Sequence, residues 1–297
     1  MLRLAQERGL EGQSTSLDAF KKRLLLTEPL TDLSSVLATF QLFQCVLDRP
    51  DVLEQVAFEV VEDVAREGTE KVELRWSPGF VCELSKLPWA DALDGFEAGL
   101  ARARLSYPQV QTGMLCIASR DYGVDSAAET VEFFVKNRDR FIGIDLAGNE
   151  EDFPCRLFER AFKPVRDKDL RITVHAGEAT GPDNVWEAIE YLGAQRIGHG
   201  INSLKDASLV ERLKRDSICL EMCPTSNWLT RCVPSLEEHP LPKALRAGIP
   251  VCINTDDPGV FAVTLRDEIK ICRERMGMSD AEIQACFAHA EKASFLR

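Results

Sequence analysis

Apolar residues follow two rhythms along this chain. Short, nearly unbroken apolar runs occur in KVELRWSP (71–78), TGMLCIAS (112–119), RFIGIDLAG (140–148), LRITVHAGE (170–178), QRIGHG (195–200), SICLEMCPTSN (217–227) and IPVCINTDDP (249–258). These read as strands covered on both faces. Between them, apolar positions recur at helical spacing. A helix is expected over 51–67, with Val52, Val56, Val60 and Val64 four residues apart and Gly68 as its stop. Another is expected over 184–192, with Asp183 as N-cap and Gly193 at its end. Strand–helix alternation predicts a parallel sheet clothed in helices. Polar residues gather at the strands' C-terminal ends, where barrels and doubly wound sheets both place their chemistry. Seven strands are one short of a (β/α)₈ barrel. Functional groups at the ends of several strands still favour a barrel, because its strand ends converge on one mouth. The residues before 71 read as helices, which leaves a gap between the first and last strands.

Composition narrows the partners. The 297 residues suit one domain spanning 1–297, and 45% hydrophobic content can fill a large core. A net charge of −12 disfavours nucleic acid and suits a small neutral substrate. No apolar run approaches the ~20 residues of a membrane span. MLRLAQERGL is charged and helix-like, unlike a secretory leader. Ten cysteines are scattered without a C-x-x-C pair, the closest being Cys219 and Cys223. Reduced, mostly buried thiols in a cytoplasmic protein are expected.

The strand ends carry the candidate chemistry: Gly148 in DLAGNE, His175 and Glu178 in HAGE, His199 in RIGHG, and Asp256 with Asp257 in NTDDP. A lone histidine is more often a core or capping residue, and DDP alone is an ordinary N-cap and turn. Two of only four histidines at strand ends, with three carboxylates at the same depth, point instead to a metal site. Imidazole and carboxylate suit Zn²⁺, and water bound to zinc ionises near neutral pH. Glu178 would carry protons, and the second histidine would orient the nucleophile. One aspartate would bind the metal and the other the substrate. His239, in a Pro-flanked acidic loop, and His289, in a C-terminal helix, read as surface or packing residues. Ser226 and Asn227 read as supports of a strand-end loop, and Cys223 has no base beside it to make it a nucleophile.

In this order, DLAGNE, HAGE, RIGHG, LEMCPTSN and NTDDP resemble the adenosine deaminase family of metal-dependent hydrolases, and LRWSP resembles its second-strand motif. The resemblance implies a (β/α)₈ TIM-type barrel and one zinc. The implied reaction is hydrolysis of a purine nucleoside's 6-amino group by a zinc-bound hydroxide, converting adenosine to inosine plus ammonia. It implies His175 and Asp256 as metal ligands and Glu178 as proton donor to the purine ring. His199 would position the hydroxide, Asp257 would bond the ring's far nitrogen, and the Gly148 backbone would approach another ring nitrogen. RIGHG is similar to the nucleoside deaminases; adenine deaminases more often have aspartate where Gly198 stands. Adenine or aminodeoxyfutalosine deamination remains the enzymatic alternative, and purine binding without turnover the non-enzymatic one. The cytidine-type zinc signature, H-x-E with P-C-x-x-C, is absent. The family's first strand brings two more ligands in an H-x-H motif, yet no histidine precedes His175. The opening helix resembles the one after that strand, and EKASFLR resembles the segment before the family's last helical stretch. The barrel is therefore expected without its first strand and with an incomplete zinc site. A start placed too late, a partial chain and a genuinely shortened binder are the explanations this leaves open.

Overall fold

The computed structural model describes residues 2–30 and 40–296. Seven parallel strands form one sheet in sequential order: β1 Lys71–Trp76, β2 Gln111–Ser119, β3 Gly143–Ala147, β4 Ile172–Ala176, β5 Arg196–His199, β6 Cys219–Met222 and β7 Val251–Ile253. Each expected strand is present, most of them shorter than its apolar run. SICLEMCPTSN and IPVCINTDDP are trimmed most and equally; in the first, Pro224 opens a helix, Pro224–Leu229. Proline at the first helical position lacks only an N–H that would be unpaired there anyway.

Among the described residues, β1 and β7 each pair on one side only, so the sheet curls without closing. The described part of the first 50 residues is helical, with helices Leu2–Glu7, Leu17–Leu24 and Gln41–Gln44. The gap expected between the first and last strands is therefore present; residues 31–39, part of that expectation, lie outside the described residues.

Two helix expectations need correction. The helix Pro50–Arg66 buries Val52, Leu53, Ala57 and Val61, and leaves Val56, Val60 and Val64 half-buried. Beyond Val52 the buried row keeps the four-residue spacing but lies one residue further along, at Leu53, Ala57 and Val61, the neighbouring position on the same face. The next helix runs Pro182–Glu190 with Gly181 as N-cap; Asp183 sits inside its first turn.

Helices cover the outer sheet face with apolar side chains, whereas the inner face holds charge. Inward positions of adjacent strands lie level: Asp145 pairs with Thr173 and Thr173 with Arg196, while one pleat higher His175 pairs with Gly198 and Gly198 with Glu221. Arg75 Nη1 lies 2.6 Å from Asp145 and its Nη2 3.1 Å from Glu221. Arg196 lies 2.7 Å from Glu73 and 2.9 Å from Glu221. Charges removed from water are tolerated only when paired in this way. The sheet's N-terminal edge is sealed by the segment after the last helix. Ser294 Oγ and Phe295 N donate to Glu73 Oε1 at 2.7 and 2.6 Å, and the Phe295 ring lies 3.6 Å from the Arg196 guanidinium.

Candidate active site

The C-terminal strand ends bring together most of the expected residues. One ligand atom from each of His175, His199 and Asp256 lies within 4.8 Å of the other two. Glu178 Oε2 lies 3.5 Å from His199 Nε2, and Asp256 Oδ2 lies 3.8 Å from the same nitrogen. The two imidazoles meet edge to face with centroids 5.1 Å apart. Both His199 and Asp256 have positive φ, +58° and +57°. Such left-handed backbone is uncommon outside glycine and concentrates where function fixes a side chain's direction.

Each group has its own support. His175 Nδ1 faces the fully buried Asp145 carboxylate at 3.0 Å, which leaves Nε2 for the mouth of the sheet. A carboxylate behind a histidine fixes its ring and raises its basicity as a ligand. Gly198, level with His175, leaves room for that ring: a Cβ there would lie 3.0 Å from Nδ1. Ser226 Oγ donates to Asp256 Oδ2 at 2.7 Å. Asp257 occupies the N-cap position before Pro258, but its side chain makes no capping bond, so it is not spent as an ordinary cap. Glu150 cradles the loop carrying Glu178. It accepts from Gly177 N at 2.9 Å, Glu178 N at 3.2 Å, Thr180 Oγ1 at 2.6 Å and Asn184 Nδ2 at 3.1 Å. Gly148, just past β3, has φ +105°, and a Cβ there would fall onto the Asp121 carboxylate. Glycine is thus required by the loop's own packing, whatever else approaches it.

The sequence reading missed Asp145, Glu150 and His239. Asp145 carried a signal, a lone charge between Ile144 and Leu146 in a strand buried on both faces. His239 did not: its acidic and proline neighbours suggest surface, yet it is only 2% exposed. The packing half of that expectation holds and the surface half fails. His289 packs as expected, its Nδ1 3.2 Å from Val251 N. All ten cysteines are free and eight are buried.

Two carboxyls of the mouth, Glu178 and Asp257, are pushed toward their protonated forms. Burial raises Glu178, and the Asp256 and Glu150 carboxylates add to it against the opposing pull of His199. Burial, followed by the adjacent Asp256, raises Asp257. His175 goes the other way in charge. Burial would lower it, but Asp145 outweighs burial and holds it at about 9. Its pairing with Asp145 therefore stabilises the fold fully below an unfolded value of ~6.5, and that stabilisation is lost as pH rises through about 9. A divalent cation must displace this proton. Its affinity is expected to rise about tenfold per pH unit from neutrality toward about 9, measured by competition with a chelator from pH 6.5 to pH 8.5. A flat profile would exclude His175 as a ligand.

The sequence pattern of the adenosine deaminase family matches residues 1–297. The chain belongs to the adenosine deaminase family. An adenosine deaminase from Shewanella loihica is 37% identical over 288 residues, covering 97% of this chain and 82% of that protein. Among solved structures, an adenine deaminase from Arthrobacter aurescens superposes with TM-score 0.91 at 27% identity, covering 100% of this chain and 89% of that one. An amidohydrolase from Burkholderia ambifaria, solved with bound Zn, superposes with TM-score 0.90 at 25% identity, covering 100% and 81%. Among the described residues, the open seven-stranded sheet is the family's TIM-type barrel without its first strand. No described helix is long and apolar enough to cross a membrane.

Proposed function

We propose that this adenosine deaminase family member hydrolyses the 6-amino group of a purine nucleoside, converting adenosine and water to inosine and ammonia. The observation that carries the reading is the convergence of His175, His199, Glu178 and Asp256 at one mouth of the sheet. The donor chemistry fits zinc. His175 keeps Nε2 free because Nδ1 is held by Asp145, and Asp256 is steadied by Ser226. When bound there by His175 and Asp256, the metal supplies a Lewis acid beside the carbon under attack.

The chain's own residues supply the rest. Glu178, pushed toward its neutral form, donates a proton to the ring nitrogen next to the amino-bearing carbon. That makes the carbon electrophilic. His199 directs the attacking water at the carbon; of the two protons the water gives up, one returns to Glu178 and the other goes to the amino group, which leaves as ammonia and restores the aromatic ring. Asp257, also pushed up, presents a hydroxyl to the acceptor nitrogen on the far side of the purine. The Gly148 backbone offers a further contact to the ring, with no side chain in the way. The partner is a small-molecule purine.

Adenosine is preferred over adenine because the adenosine deaminase relative is more similar than the adenine deaminase, 37% against 27% identical. Gly198 supports the same choice, since the ring of His175 occupies the space a side chain there would need. Adenosine, adenine and AMP, each incubated with a high concentration of the zinc-supplied chain, are expected to separate by product. Chromatography should find inosine forming above the uncatalysed rate and ahead of hypoxanthine. Hypoxanthine forming faster from adenine would overturn the substrate assignment.

A further inference from the structure

His239 ends a chain of hydrogen bonds that reaches the mouth of the sheet. Leu241 N donates to His239 Nδ1 at 3.1 Å. A backbone N–H can only donate, so this ring nitrogen holds a lone pair and the ring proton sits on Nε2. That nitrogen lies 3.1 Å from Asn227 Oδ1. The Asn227 amide is thereby oriented with its oxygen toward His239. Its NH₂ faces Glu178 Oε1 at 2.9 Å and His199 Nδ1 at 2.9 Å. His199 Nδ1 must then accept, which places the proton of the neutral ring on Nε2. That N–H faces Glu178 Oε2 at 3.5 Å and Asp256 Oδ2 at 3.8 Å.

We propose that His239 is a positioning residue that acts through Asn227 to lock His199 in its Nε2–H tautomer. His199 then presents a proton donor to the mouth, rather than a lone pair to a metal. The polarity cannot reverse locally. Turning the Asn227 amide over would set its NH₂ against His239 Nε2–H; moving that proton to Nδ1 would set two donors face to face at Leu241. Burial, reinforced by His199, pushes His239 down to about 3, so the ring stays neutral and its single N–H is always available. Asn227 is fully buried, out of reach of bulk solvent. The two histidines at the mouth are thus set in opposite senses. Asp145 accepts from the Nδ1–H of His175, so the neutral ring keeps its lone pair on Nε2, whereas Asn227 leaves His199 with a proton there. The catalytic meaning rests on the deaminase reading, since an N–H at this point orients the attacking water through its oxygen; the tautomer itself does not.

With four histidines in the chain, ring-¹⁵N-histidine labelling and long-range ¹H–¹⁵N correlation read every tautomer in the full 297-residue protein, with assignment by single substitution. His199 is expected with a bare Nδ1 and a protonated Nε2. His239→Gln keeps an N–H donor toward Asn227 and should retain that signature. His239→Leu removes the donor and should give a mixture of tautomers. Asn227→Asp replaces the donor to His199 with an acceptor and should move the proton to Nδ1. Circular dichroism identifies the variants that remain folded. A His199 ring protonated on Nδ1 in the unsubstituted protein overturns the proposal, and so does an unchanged tautomer in folded His239→Leu and Asn227→Asp. If both variants unfold, the unsubstituted spectrum decides alone. These spectra are independent of turnover, so a failed deaminase assay and a failed tautomer assignment are distinguishable.

Discussion

Adenosine turnover by the 297-residue chain with equimolar zinc is expected to fall at least about 10³-fold below the 1–10³ s⁻¹ typical of enzymes. Adding a strand that bears H-x-H is expected to restore it. A catalytic zinc takes three protein ligands and keeps one position open. His175 and Asp256 supply two, and no histidine precedes His175 to supply more. His199 is within reach, but with its Nδ1 accepting from Asn227 the neutral ring carries its proton on Nε2, the atom that faces the mouth. Two ligands give weak affinity and no fixed open position. Room for a further strand exists, because β1 and β7 each pair on one side only among the described residues. An H-x-H strand joined by a flexible linker ahead of Leu2 could pair with that edge and direct both imidazoles to the mouth, since residues i and i+2 share a face. Loss of adenosine absorbance measures the rate, and a chelator competition measures the metal. Full-rate turnover by the 297-residue chain would mean that the metal is held by another set of side chains. Tight zinc binding without turnover in the supplemented protein would point to a purine binder.

The second large effect is expected from Glu178→Gln in the strand-supplemented protein. Loss of the proton donor should cost about 10²–10⁴ in kcat, with KM and zinc content nearly unchanged. Glutamine fills the same space and keeps an oxygen for the Asn227 amide, so packing is preserved. Because Glu178 is raised by burial and by its carboxylate neighbours, its protonated form persists above the ordinary carboxylate range. Activity that depends on this proton is lost as pH rises through the raised value. The pH profile of kcat should therefore have an alkaline limb set by Glu178, which the glutamine variant loses while the limb set by Asp257 stays. A variant that keeps both its rate and the first of these limbs would remove Glu178 from the chemistry.

What could be read from the sequence was set by how local each signal is. β4 and β5 are legible because an apolar run ends abruptly in His175 or His199, and both elements lie where the runs put them. The helix at Pro224 was obscured by the apolar run before it, although a proline at that point is itself a helix-start signal. Asp145 makes sense only beside His175 from the neighbouring strand, and Glu150 only around the turn it wraps. His239 is harder still. Its local surroundings, EEHPLP, are those of an exposed loop, and its role depends on Asn227, twelve residues away in the chain. Periodicity reveals which face a residue takes, whereas hydrogen-bond direction depends on which distant atom happens to be unable to accept.

The segment that seals the N-terminal edge of the sheet sets an order on the ribosome. Ser294 and Phe295 come after every strand, so all seven strands emerge from synthesis before Glu73 and Arg196 receive these partners. At roughly 5–20 residues per second, the charged interior stays open to water for roughly ten to forty seconds after β1 has been made. During that interval its arginines and carboxylates remain hydrated. A stalled or prematurely released chain that stops short of Ser294 would thus be left with every strand and no floor under Glu73 and Arg196.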